Sequence, residues 1–177
     1  LLTHGYKGKA EMGMQLTYTT LASILKYPCE AGAVDKKHTH RKKYGFFAID
    51  LQRFEEVVQH THMQRDTTTS KIAYLRHPCV YLVEAADDIC YRIIDMEDAH
   101  RIGIMSTTEV SDAFLGVIAD LDGDTSKVKK TLKGLVDANE KIAYFRAKTI
   151  STMVNAASRS FMENADEPHA RVIARAI

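Results

Sequence analysis

Apolar residues recur at helical spacing along most of the chain. Within Gln15 to Lys26, Leu16, Leu21, Ile24 and Leu25 predict a short amphipathic helix closed by Tyr27-Pro28. Pro28 to Lys43 reads as a polar, glycine-containing loop. Leu51 to His62 sets Phe54, Val57 and Val58 at helical spacing, a second helix, and the small polar residues Thr67 to Ser70 punctuate the chain after it. Pro78 suits the first position of a helix, where a missing N–H has no partner to lose. From there the sequence runs for about six turns without another Gly or Pro until Gly103. Ser106 to Glu109 (STTE) is a capping box, predicting a helix to about Leu121 that ends at Asp122-Gly123-Asp124. Asp124 to Leu135 and Asn139 to Met162 predict two more helices, the second with apolar Ile142, Phe145, Ile150, Met153 and Val154. Sustained period-two alternation is missing throughout, so the fold class is all-α.

Composition adds bounds. A length of 177 residues suits one domain with a core of its own, so the chain is read as a single all-helical region, 1–177. The formal charge of +1 gives no global field to attract nucleic acid or membrane. Locally, Lys36 to Lys43 reads KKHTHRKK, a basic run that is either a solvated loop or a phosphate-binding surface. Cys29, Cys79 and Cys90 lack a zinc pattern and read as reduced thiols, so a cytoplasmic location is expected. No apolar run reaches the roughly 18 residues of a membrane span, and no membrane partner is expected. The opening LLTHGYKGKAEMG, with no initiator Met and no capping signal, reads as a fragment or as a stretch with more chain upstream.

The segment PCVYLVEAADDICYRIIDMEDAHRIGI carries the chemistry. Asp87, Tyr91 and Asp95 stand at i, i+4 and i+8, drifting only about 80° around a helix, and so form one polar stripe. Glu84 and Asp98 extend it by a turn at each end. The flanking Val80, Leu82, Val83, Ala85, Ala86, Ile89, Cys90, Ile93 and Ile94 are apolar nearly all round, which predicts a buried helix. Acids on a buried helix need a cation, and spacing alone leaves two readings open. Arg76, Arg92 or Arg101 satisfies them as ordinary ion pairs, or they hold a metal or substrate.

The stretch HPCVYLVEAADDICYRIIDMED resembles the second half of the HD domain of bacterial deoxynucleoside triphosphate triphosphohydrolases, the dGTPases and their relatives. In that family an HPLVYLMEAADDI-type helix supplies the last metal-binding Asp. LTYTTLASILKYP at Leu16 to Pro28 and KKYGFF at Lys42 to Phe47 resemble two further family segments in the same order, so the likeness runs from Gln15 to Ile104. YFRAKTISTMV at Tyr144 to Val154 is compatible with the helices that follow.

The resemblance implies a multi-helix HD-domain-type bundle, here lacking its N-terminal HD-motif helices. It implies that Asp87, rather than Asp88, is a metal ligand, since only Asp87 has Tyr four and Asp eight residues on. It implies further that Tyr91 lies against triphosphate and sugar, that Asp95 accepts from the 3′-hydroxyl, and that Lys43 and Tyr44 approach the triphosphate. The expected reaction is hydrolysis of a dNTP, with dGTP foremost, to deoxynucleoside and tripolyphosphate, with a divalent ion (Mg, Mn, Fe or Ni) as cofactor. A homo-oligomer and a single-stranded nucleic acid effector are the partners the resemblance implies.

One departure limits this. The family signature also needs a His and an adjacent His-Asp pair, and no His-Asp pair occurs in the sequence. His38, His40, His60 and His62 read as surface or loop residues, and His77 as the end of a loop. A catalytic ion needs several protein ligands, so Asp87 alone does not suffice. The expectation is therefore a part of a longer enzyme, inactive by itself. Two alternatives stand beside it: a degenerate binding or oligomerisation module, and an HD phosphohydrolase of another nucleotide phosphate ester.

Overall fold

The computed structural model describes residues 14–164, and the chain divides into two compact units, Leu1–Val83 and Glu84–Ile177. Six α-helices occur among the described residues, together with three short 3-10 turns and no strand, as the spacing of apolar residues requires.

The first unit holds α1 (Tyr18–Ser23) and α2 (Leu51–His60). Thr17 starts α1 by accepting the Thr20 N–H at 3.2 Å. Leu21, Ala22 and Leu25 of the α1 region pack with Phe54, Val57 and Val58 of α2 and with Met63, so both amphipathic faces close on one core. Phe46 stacks on Phe54 with ring centroids 4.0 Å apart, and Tyr74 meets Phe54 edge-on at 5.6 Å.

Between the two helices the expected polar loop is not loose. Pro28, Cys29, Ala33 and Arg41 are all buried. The segment is fastened to residues 64–75 by an isolated antiparallel bridge, Cys29 to Ala73, and those residues are closed on themselves by a second, Arg65 to Tyr74. The Glu30 N–H donates to Ile72 O and the Tyr74 N–H to Pro28 O, both at 2.9 Å. The apolar residues here are too few to show any periodicity, which is why the sequence reads as loop.

α3 (Cys79–Arg101) begins where expected, after His77-Pro78. His77 does more than close a loop: its Nδ1 accepts the Cys79 N–H at 3.2 Å and so caps the helix. Gly103 at φ 77° ends it, in a left-handed conformation that a β-carbon disfavours, with the Ile104 N–H reaching Ala99 O at 2.8 Å.

In the second unit follow α4 (Thr107–Asp122), α5 (Ser126–Leu132) and α6 (Ala138–Glu163). The capping box forms as read: Ser106 Oγ accepts the Glu109 N–H at 3.2 Å, and Glu109 Oε2 accepts the Ser106 N–H at 2.8 Å. The core of this unit joins Ala85, Ile89 and Ile93 of α3 to Val110, Phe114 and Ile118 of α4, Val128 of α5, and Ile142, Phe145, Met153 and Ala157 of α6. Val154, expected inside, is 45% exposed, while Thr149 and Thr152 are buried. The apolar stripe of α6 therefore turns by about one residue from the one read in the sequence.

Candidate functional site

α3 is not buried all round, contrary to the expectation. Its Ala85–Ile89–Ile93 line faces the core, but Tyr91 is 68% exposed and Ile94 is 49% exposed. The error comes from counting apolar residues around the helix instead of asking which line continues at i, i+4 and i+8. Asp87, Tyr91 and Asp95 occupy the opposite, solvent-facing side together, one above the other as their spacing demands.

Ion pairs form among the acids toward the C-terminal end of α3. Arg146 Nη1 grips Glu97 through both carboxylate oxygens at 2.9 and 2.7 Å, and Arg101 lies 3.5 Å from Glu97 and 3.7 Å from Asp98. Among the described residues, no hydrogen bond or ion pair engages Asp87, Tyr91 or Asp95. Two exposed carboxylates with a phenol between them need no partner to be stable in water. They form a hydrated, acceptor-rich face able to take a cation, a hydroxyl or a sugar edge.

Lys43 and Tyr44 lie in the first unit, both exposed, in the segment that follows the 3-10 turn Thr39–Arg41. Tyr44 meets Phe47 edge-on at 5.9 Å. Cys29 Sγ donates to Lys43 O at 3.2 Å, and the Gly45 N–H donates to Cys29 O at 3.0 Å. Burial pushes the Cys29 thiol above its usual range, which keeps it a neutral donor.

Sequence reasoning missed the polar cluster beside this segment. Asp66 is 3% exposed. Its Oδ1 accepts from Thr68 Oγ at 2.6 Å and from the Thr68 N–H at 2.8 Å, and its Oδ2 meets His40 Nε2 at 2.7 Å. Arg41 Nε stands 2.9 Å from the same Oδ2, close enough for an ion pair although its N–H is poorly aligned for a hydrogen bond. Burial alone would raise the Asp66 pKa, but the Thr68 hydroxyl, His40, the Thr68 N–H and the Arg41 charge together hold it far below the carboxylate range.

His40 lies in the loop, as read, but its side chain is 17% exposed and turned onto Asp66, and Arg41 is no part of a solvated run. The Asp66-Thr67-Thr68 turn is legible as an Asp bonding its own backbone two residues on. Its pairing with residues 40 and 41 is a long-range contact that leaves no local signal. His60 and His62 are exposed, as read, and His60 stacks on Tyr18 at 4.2 Å. No three His, Cys, Asp or Glu side chains cluster among the described residues, so these residues do not fit a catalytic metal by themselves. Nor is any described helix long and apolar enough to cross a membrane.

An all-α chain carrying an acid–tyrosine–acid stripe on one helix is the class that fold and geometry define. No protein-family model matches it. Known proteins do. The chain is 34% identical over 151 residues to a deoxyguanosinetriphosphate triphosphohydrolase-like protein of Pseudomonas aeruginosa, covering 85% of this chain and 33% of that one. With one of the same description from Synechocystis it shares 34% identity over 158 residues, 86% of this chain and 33% of the other. A deoxyguanosinetriphosphate triphosphohydrolase of Yersinia enterocolitica is 27% identical over 165 residues, 85% of this chain and 31% of that one. Across most of its length the chain therefore matches the dGTPase-like proteins, and it spans about a third of the length of the curated relatives it matches.

Proposed function

We propose that this chain is the substrate-side part of a dNTP triphosphohydrolase, with dGTP the expected substrate, converting it with water to deoxynucleoside and tripolyphosphate. The observation that carries the reading is the stripe of Asp87, Tyr91 and Asp95, exposed together on α3 and without a polar partner among the described residues, in a chain similar to proteins named for this activity. The reaction breaks the bond between the α-phosphorus and the 5′-oxygen. The water oxygen joins phosphorus, and the 5′-oxygen leaves with a proton.

In this reading Asp95 accepts a hydrogen bond from the 3′-hydroxyl, and Tyr91 packs on the sugar and donates toward phosphate. Tyr91 also crowds the 2′ position, disfavouring ribonucleotides. Lys43 balances triphosphate charge, and Tyr44 lies beside it. Asp87 contributes one ligand to a divalent ion, Mg, Mn, Fe or Ni, whose other ligands come from outside the residues described here. Such an ion supplies charge stabilisation at the α-phosphate. The assembly partners suggested by the family, further copies of the chain and single-stranded nucleic acid, belong to the same proposal, as does a cytoplasmic location.

The test is product analysis with the full polypeptide. dGTP with a divalent metal is expected to yield deoxyguanosine and intact tripolyphosphate in equal amounts. Stepwise release of phosphate or pyrophosphate, or turnover of a different phosphate ester in preference to any dNTP, would sink the reading.

A further inference from the structure

Lys42, Lys43 and Tyr44 expose their side chains, yet the residues on either side of them are fixed. On one side stands Arg41, only 4% exposed. Its Nη1 donates to Ala33 O at 3.2 Å and its Nη2 to Thr68 Oγ at 3.1 Å, while its own carbonyl accepts the Asp35 N–H at 2.8 Å. On the other side stands Gly45, where an added Cβ would lie 2.0 Å from Tyr27 O, so the backbones touch there. At the back, Asp66 gathers His40, Arg41 and Thr68 onto one buried carboxylate. A basic run kept only for solubility has no use for a buried arginine and a buried acid beneath it. A run that must meet a polyanion in one place does, because the lysine stem is flexible and only its backbone origin can be set in advance.

We propose that Asp66 is a positioning residue for phosphate binding: by joining His40 and Arg41 it fixes the Lys42–Lys43–Tyr44 segment in the place from which it contacts a triphosphate. This rests on the reading of Lys43 and Tyr44 as triphosphate contacts given above. Asp66 itself touches no substrate. Without its charge the Arg41 guanidinium loses its buried counter-charge, His40 loses its partner, and the segment is free to shift.

The experiment is a double-mutant cycle in the full polypeptide, Asp66→Asn combined with Lys43→Ala. It is read by KM for dGTP and by inhibition with tripolyphosphate alone. Asp66→Asn is expected to raise both constants about tenfold while kcat changes less than about twofold. In the Lys43→Ala background it raises them by less than it does alone, since part of its effect runs through Lys43. Additive effects, or unchanged constants in a folded Asp66→Asn protein, overturn the proposal. Should Asp66→Asn fail to fold, His40→Gln, which keeps the Asp66–Arg41 pair, is scored on the same constants. A smaller rise in both supports the role, and no rise overturns it. A wild-type polypeptide without dNTP hydrolysis removes the functional reading itself. Hydrolysis with tripolyphosphate inhibition indifferent to Asp66→Asn removes only this one.

Discussion

At the scale of single residues, the acids of this chain divide by what they owe to the fold. Asp87 and Asp95 are exposed and have no partner among the described residues, whereas Asp66 is buried under four polar contacts. On the proposed function, Asp87→Ala in the full polypeptide is expected to abolish dNTP hydrolysis, and its exposure means stability should change by less than about 0.5 kcal/mol, as for a surface substitution. Thermal melts beside activity assays check both halves, and a large loss of stability would assign Asp87 to the fold instead. On the same proposal, Asp95→Ala should erase a preference for a 3′-hydroxyl over a 2′,3′-dideoxy substrate, seen as a collapse of the ratio of kcat/KM values towards unity.

Asp66 behaves in the opposite way, and its sign follows from the direction of its pKa. The folded state holds the carboxyl far below its unfolded value, so its stabilisation is complete above the unfolded pKa and is lost as pH falls. Asp66→Asn should be less stable than wild type at neutral pH, with the gap narrowing as pH falls from about 5 to about 3, around and below the unfolded Asp pKa. The other lowered carboxylates, Asp35, Glu109, Asp122 and Asp124, are present in both proteins and cancel in the difference. A gap that stays constant over that range would mean that the Asp66 charge is not what holds the cluster.

At the scale of elements, the legible features are those whose signal is local. Pro78, the Ser106–Glu109 box, Gly103 and Gly123 each mark a helix end within a few residues, and α2, α3, α4 and α6 form where spacing placed them. The face an element turns inward was less legible. α3 carries apolar residues on most sides, and periodicity could not say that Ile89 and Ile93 would be buried while Ile94 stayed half exposed. That choice is made by α4 and α6, whose Phe114 and Phe145 rings stand 6.1 Å apart in the same core. Ile89→Ala should therefore cost about 2–5 kcal/mol, and Ile94→Ala less than about 1 kcal/mol. Urea melts of the two variants decide it, and equal losses would contradict the assigned face. The stripe of Asp87, Tyr91 and Asp95 was legible for the same reason as the helix: three residues at i, i+4 and i+8 share a side wherever a helix forms. The Asp66 cluster was not, because residues 40, 41, 66 and 68 come together only through the folding of the segments between them.

At the scale of the whole molecule, the described residues present an acid–tyrosine–acid face on α3 but not the ligand set of a metal enzyme. One proposed ligand, Asp87, sits on α3, and no group of three ligating side chains forms among the described residues. A single monodentate carboxylate in water holds a divalent ion too weakly and with too little fixed geometry for catalysis. The chain spans about a third of the length of the curated relatives it matches. The 177-residue chain, produced alone and shown by circular dichroism to be helical, is accordingly expected to release no tripolyphosphate from dGTP with Mg, Mn, Fe or Ni. The polypeptide that carries the missing ligands is expected to do so under the same conditions. Metal analysis of the dialysed chain gives an independent reading: far less than one ion per molecule agrees with a single ligand. Stoichiometric metal together with turnover by the chain alone would show that it assembles a full site, and the division of labour argued here would be wrong.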